Sequence, residues 1–262
     1  MRYVVFSFWF LCCLSAAPVF SQLVLEKDIN DEGQGSEIDE TFLYKGYLYF
    51  GASDGTTGNE LWRLNLEDGA TERLGDFREG ILDSDPSRFV ATENNVYCVA
   101  TDNRSDDIIF QFNTDTETSG PLQPLNISPV FSNDIFVHDG LLIMEYRASD
   151  RSDEDLGIYD ENTNELTVIS VNLEKAADIN ILGIINNTVW FTGLDENDVD
   201  VLWEYDIINE TFQKSTIPDP LSVLPTASGV LVDQNRMYFS GFTAEERREL
   251  YALDIDQNEV IV

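Results

Sequence analysis

Histidine is almost missing from this chain of 262 residues, which holds a single one, His138. One imidazole excludes zinc sites built on several histidines, and His138 has no serine-elbow context that would suggest a Ser-His-Asp triad. Cysteine is nearly as scarce. Of the three present, Cys12 and Cys13 lie in the opening apolar run, so only Cys98 belongs to the body of the chain and an internal disulfide is excluded there. Cys98 falls mid-strand at a position that other repeats fill with phenylalanine, which reads as a buried structural thiol. Basic residues are few as well: 15 Lys and Arg face 49 Asp and Glu, for a formal net charge of −34. Such a surface repels nucleic acid and anionic membranes. Cations, basic partners and neutral ligands such as glycans stay open. Beyond Phe20 no apolar stretch is long enough to span a bilayer, and no segment of about 12 residues carries a helical period.

The first residues do have a recognisable character. Arg2 precedes an apolar run from Val4 to Leu14, small residues follow at Ser15, Ala16 and Ala17, and Val19-Phe20-Ser21 fits the small-x-small rule for signal peptidase. Residues 1–21 are therefore expected to be a cleaved signal peptide, leaving residues 22–262 as an exported monomer, secreted or held at the cell surface. A chain of this length buries enough apolar surface to fold without staples.

The main signal is a repeat. Tyr47-Leu48-Tyr49-Phe50-Gly51 with Glu60-Leu61-Trp62 matches Val96-Tyr97-Cys98-Val99 with Ile109-Phe110, then Leu141-Leu142-Ile143-Met144 with Leu156-Gly157-Ile158. Val189-Trp190-Phe191 with Leu202-Trp203 and Met237-Tyr238-Phe239 with Leu250-Tyr251 complete the series. Leu48, Val96, Leu142, Val189 and Met237 are 48, 46, 47 and 48 residues apart, and Leu61, Ile109, Leu156, Leu202 and Leu250 step almost identically. Two anchors that keep one period through five copies define a repeat architecture. Each copy reads as four short strands: in the first, Thr41–Tyr44, Tyr47–Ala52, Leu61–Leu66 and Thr71–Leu74. Turn residues such as Lys45-Gly46, Asp68-Gly69 and Asp139-Gly140 punctuate them. The second strands are apolar on both faces, which a strand with one wet face is not. Blades stacked face to face require this, so the fold class expected is an all-β propeller of four-stranded blades, with about five blades visible. Leu23–Ile29 resembles an outer fourth strand, and the fifth repeat reaches Val262 with its own fourth strand barely begun. Two arrangements are open: a five-bladed ring closed by that early strand, or part of a larger propeller.

The segment from Gly46 to Trp62, ending Thr57-Gly58-Asn59-Glu60-Leu61-Trp62, resembles one unit of the ELWxxDGT-repeat proteins, and Leu202-Trp203-Glu204-Tyr205-Asp206 is similar to kelch-like blades. The resemblance covers residues 23–262 and is sharpest in repeat one. It implies a secreted bacterial surface protein and transfers no catalytic residue. The motif departs where Asn65-Leu66-Glu67-Asp68-Gly69 stands in place of Asp-Gly-Thr.

The connection between strands two and three is acidic in every copy, and equivalent loops of a propeller emerge on one end. Calcium takes six to eight oxygens, which makes Asp195, Asn197, Asp198 and Asp200, with Asp153 and Asp155 in the preceding repeat, the candidate metal ligands. A solvated charged rim is the other reading of the same residues. Trp62, Trp190 and Trp203 occupy repeat positions held elsewhere by apolar residues, and so read as core rather than as sugar platforms. Three functions follow: a non-catalytic surface module for binding or adhesion to an extracellular protein or glycan; a carboxylate glycoside hydrolase using acids near first-strand starts (Asp39, Glu40, Asp85, Asp134, Asp178); or a structural repeat of a longer surface protein. The first is the leading expectation, with no cofactor unless calcium.

Overall fold

The computed structural model describes residues 28–30, 35–122, 135–146, 155–170, 179–197, 199–216, 230–242, 248–257 and 259–261. The proposed signal peptide and Leu23–Lys27 lie outside these. The described residues form five four-stranded antiparallel sheets, each with its strands in chain order. The first holds β1 (Thr41–Tyr44), β2 (Tyr47–Ala52), β3 (Glu60–Asn65) and β4 (Thr71–Arg73). The second holds β5 (Ser87–Ala91), β6 (Asn95–Thr101), β7 (Asp107–Asn113) and β8 (Thr118–Pro121). In the third are β9 (Phe136–His138), β10 (Leu141–Tyr146), β11 (Asp155–Asp160) and β12 (Glu165–Ile169). The fourth comprises β13 (Asn180–Ile185), β14 (Thr188–Leu194), β15 (Asp200–Asp206) and β16 (Thr211–Lys214). The fifth comprises β17 (Leu231–Asp233), β18 (Arg236–Phe242), β19 (Arg248–Asp254) and β20 (Glu259–Ile261).

Local chemistry explains the turns. Lys45-Gly46, Asp139-Gly140 and Asn186-Asn187 join the first two strands of their sheets with positive φ at both residues, as tight hairpins require. The turn after the third strand is capped by one repeat position: the side-chain oxygens of Asn65, Asn113, Asp160, Asp206 and Asp254 each accept a backbone N–H two or three residues on. In the fifth copy that turn carries the chain back so that Val260 pairs with Leu253. The fourth place in this sheet, as described, is held by β20.

Alternation along each second strand sends its side chains to opposite faces, and in the first four sheets both faces are buried. In β6, Val96, Cys98 and Ala100 pack with Tyr49 and Leu61 of the first sheet. Its alternate residues Tyr97 and Val99 pack with Leu142, Met144 and Tyr159 of the third. Ile143 faces the other way, onto Val189, Phe191 and Trp203 of the fourth sheet, while Trp190 meets Met237, Phe239 and Tyr251 of the fifth. Four seams thus join consecutive sheets. Phe50 and Ala52, on the far face of the first sheet, are covered by Ile29. The anchor residue of each repeat faces the next sheet: Leu61, Ile109, Leu156 and Leu202 are buried, but Leu250 of the fifth is 68% exposed.

Polar contacts one repeat apart tie the same sheets together. The Tyr44 hydroxyl and Lys45 Nζ donate to the carbonyls of Thr92 and Glu93, His138 Nε2 pairs with Asn187 Oδ1 at 2.7 Å, and Asn186 Nδ2 donates to Asn235 Oδ1 at 2.9 Å. Arg63 is buried in the first seam between Glu72 and Glu117, its guanidinium 4.4 Å from the Tyr47 ring centre and 5.0 Å from that of Phe112. The packing yields a direct test. Phe191→Ala should cost roughly 3–5 kcal/mol in denaturant unfolding, whereas Leu231→Ala, at an exposed position, should fall within about 0.5 kcal/mol of the parent.

Candidate functional site

The sequence-predicted residues of the connections between second and third strands can be placed where those connections are described. Asp54, Asp102 and Asp195 occupy the same repeat position, and each carboxylate folds back onto its own loop. Asp54 Oδ1 accepts the amides of Thr56 and Thr57 at 2.8 and 2.9 Å, together with both threonine hydroxyls. Asp102 accepts the amides of Arg104 and Asp106 and the Arg104 guanidinium. Asp195 accepts Asn197 N at 2.9 Å, Val199 N at 3.2 Å and Lys214 Nζ at 3.2 Å. These are loop-closing aspartates, a local use of carboxylate that competes with any ligand.

Asp198, Asp153 and the Asp200 side chain lie outside the described residues. Asp155, at the start of β11, is buried at 3% exposure, and Asn197 spends its backbone amide on Asp195. Among the described residues no group of three or more His, Cys, Asp or Glu side chains is placed to hold a metal. The calcium expectation has its own check in the melting temperature with calcium and with chelator, because a site formed only in the folded state raises it.

The tryptophans serve the core. Trp62 Nε1 donates to Ala52 O at 2.9 Å and its repeat equivalent Trp203 Nε1 to Gly193 O at 3.2 Å. Trp190 and Trp203 are buried. Cys98 is buried at 1% exposure, and burial pushes its thiol well above the ordinary range.

Three of the five acids near first-strand starts do come together. Asp39, Glu40 and Asp85 line a cleft of about 410 Å³ between the first and second sheets, with Gly51, Asn59 and Pro86; Asp134 and Asp178 lie outside the described residues. Glu40 is committed to structure, its carboxylate accepting Arg88 N at 2.8 Å and Phe89 N at 3.4 Å. Burial, then the charges of Asp83, Glu37 and Asp39, hold the Asp85 carboxyl above the usual carboxylate range, with Arg78 pulling the other way.

Asn59, which lines the cleft, belongs to the segment Thr57-Gly58-Asn59-Glu60. Gly58 is required by close approach, since a Cβ there would stand 2.1 Å from the Leu82 carbonyl oxygen. The Asn59 carbonyl accepts Ser84 N and Asp85 N, and its own amide donates to Asp83 Oδ1 at 2.8 Å. Glu60, fully buried, accepts Phe77 N and the Ser84 hydroxyl, both at 2.8 Å. The segment therefore clamps the crossing to the second sheet. Asn59 Oδ1, however, is buried without a donor, a state that costs roughly 1–3 kcal/mol. Gly51 and Asn59 were not singled out as site residues by sequence reasoning. The available signal was Gly51 itself, at a strand position where the other repeats carry Val99, Glu145, Thr192 and Ser240.

No protein-family model and no curated protein matches the chain. Among solved structures the chain is similar to TolB from Acinetobacter baumannii, with 11% identity and a TM-score of 0.49 over 81% of this chain and 50% of that one. It is also similar to YjhT, with 12% identity and a TM-score of 0.45 over 81% of this chain and 78% of that one. The chain spans half the length of the TolB chain it matches. Among the described residues no helix is long and apolar enough to cross a membrane.

Asp54 gives a prediction in pH. Burial raises its pKa, but the threonine hydrogen bonds outweigh this and bring it down to about 2. Its folded-state value thus lies below the unfolded one, so its contribution is complete above about pH 4 and is lost as pH falls towards 2. Asp54→Ala should melt below the parent at pH 7, with the two curves converging on acidification. An offset that persists unchanged at pH 2 would contradict the assignment.

Proposed function

We propose that the chain is an exported, non-catalytic β-propeller binding module whose five sheets are blades, and that its loop end recognises an extracellular protein or glycan. The observation that carries this is the acidic cleft at the first seam. It is a concave site of small-ligand size, about 410 Å³, built where two repeats meet and lined by Asp39, Glu40 and Asp85. Concave sites with a few convergent polar groups are where recognition concentrates. The ELWxxDGT resemblance and the signal-peptide pattern supply the exported setting.

One observation favours a second reading. An acid held above its usual range beside other carboxylates is the pairing a glycoside hydrolase uses, and Asp85 beside Asp39 has that character. Both readings meet in one experiment. The chain from residue 22 onward, with and without the double substitution Asp39→Asn and Asp85→Asn, is applied to a glycan array and to purified extracellular proteins, and incubated with aryl glycosides. The binding reading expects a saturable ligand lost in the double variant and no aryl alcohol released. Release that depends on Asp85 would establish the hydrolase instead.

A further inference from the structure

Each of the first four sheets presents one residue of its second strand and one of its third to the sheet that follows. Tyr49 and Leu61 do so in the first seam, Trp190 and Leu202 in the fourth, and all four are buried. The fifth sheet carries Tyr238 and Leu250 at these repeat positions. They lie on the face away from the fourth sheet, because the alternate residues Phe239 and Tyr251 pack towards it. Register sets Leu231 and Ile261 in one row with Tyr238 across this outward face. Leu250, Leu231 and Ile261 are 68%, 65% and 37% exposed. The face has the residues of a seam and, among the described residues, no sheet packed on it.

The far side of the first sheet shows what such a seam requires. Ile29 packs with Phe50 and Ala52 as Phe77 packs with Cys98 and Ala100. Ser36 O accepts Ser53 N at 2.9 Å, and Ser84 O accepts Thr101 N at 2.7 Å. Glu37 and Asp85 both take left-handed backbone, with φ of 56° and 48°. Ile29 and Phe77, Ser36 and Ser84, and Glu37 and Asp85 are all 48 residues apart. Residues 29–37 therefore repeat the crossing at 77–85, which carries the chain from the outer strand of one sheet into the next. At 77–85 the chain comes from β4, Thr71–Arg73. By the same spacing, the crossing at 29–37 comes from a strand at Leu23–Leu25, a segment outside the described residues.

We propose that one further sheet of this repeat docks between the fifth sheet and the first, with Leu23–Leu25 of this chain as its fourth strand and a partner supplying the other three. The partner is an antiparallel three-stranded sheet of the same repeat, apolar on both faces of its second strand. One face meets Tyr238 and Leu250, the other Ile29 and Phe50, and its open edge pairs backbone to backbone with Leu23–Leu25. A second copy of this chain fits less well, because its five sheets already hold four strands each and both copies would carry a net charge of −34. Direct contact of the fifth sheet with the first fits less well too. The fourth place in the fifth sheet is held by β20, which leaves Leu23–Leu25 with no sheet to join. The inference stands apart from the cleft and does not rest on the binding reading.

The test supplies the partner covalently. Ile261 stands opposite Ala252 as Gln213 stands opposite Glu204, so a second copy of residues 215–254 placed after Val262 continues the repeat in register and brings three strands. Hydrogen exchange and melting curves are compared for the chain from residue 22 onward with and without this extension. The extension should slow exchange at Leu23–Leu25 at least about tenfold. Leu250→Asp should leave the melting temperature of the unextended chain within about 2 °C and lower that of the extended chain by about 5 °C or more, since only there is Leu250 buried. Unchanged exchange at Leu23–Leu25, or an equal effect of Leu250→Asp in both chains, would overturn the proposal. A drop in the unextended chain that varies with concentration would assign the face to a second copy, and one that does not would assign it to the first sheet. An extension built on residues 169–206 serves if the first does not fold, and failure of both to fold onto the chain would also overturn the proposal.

Discussion

The structure depends on one constraint: a four-stranded sheet here must bury both faces of its second strand. No single sheet can do that by itself, since one face always needs a neighbour. The alternation of β6, with Cys98 towards the first sheet and Tyr97 towards the third, shows the solution, which is to stack the next copy on top. From that choice follow the strict period and the short turns that keep each sheet narrow. The exposure of Leu250, at the position where Leu61, Ile109, Leu156 and Leu202 are buried, is the same constraint seen from the last described sheet.

Polar groups do a different job from the apolar seams. A recurring set of aspartates and asparagines is spent on their own loops. The turn after the third strand uses one such side chain in all five copies, and the loop after the second strand uses another at Asp54, Asp102 and Asp195. In a chain with a net charge of −34, these carboxylates are held by backbone amides. Asp39 and Asp85 stand in contrast at the first seam, where negative charge accumulates around a cleft instead of closing a loop.

Much of the fold was legible because periodicity survives translation into geometry. The first-copy strands Thr41–Tyr44 and Tyr47–Ala52 stand where the pattern puts them, and the apolar character of both faces announced the stacking. The tryptophans read correctly as core for the same reason: their repeat equivalents are apolar. What sequence reading could not supply was the use of each acid. Asp195 and Asp85 look alike in a row of letters, yet one is closed by two amides and a lysine while the other faces a cleft. The fourth strand of the last sheet, Glu259–Ile261, read only as barely begun, because three residues are too few to show a pattern. Asn59 escaped notice because a lone asparagine before a strand has no signature; its place is set by close packing against Gly51, where an added Cβ would stand 2.7 Å from its Oδ1.

The central claim, that stacking of second strands holds the fold together, is tested most directly by native-state hydrogen exchange read by mass spectrometry. Peptides covering β2, β6, β10 and β14 should exchange slowest and at similar rates, because each lies between two packed faces, while those covering the short outer strands β4, β8, β12 and β16 should exchange early. Outer strands as protected as the second strands, or one sheet protected while its neighbours exchange freely, would contradict it.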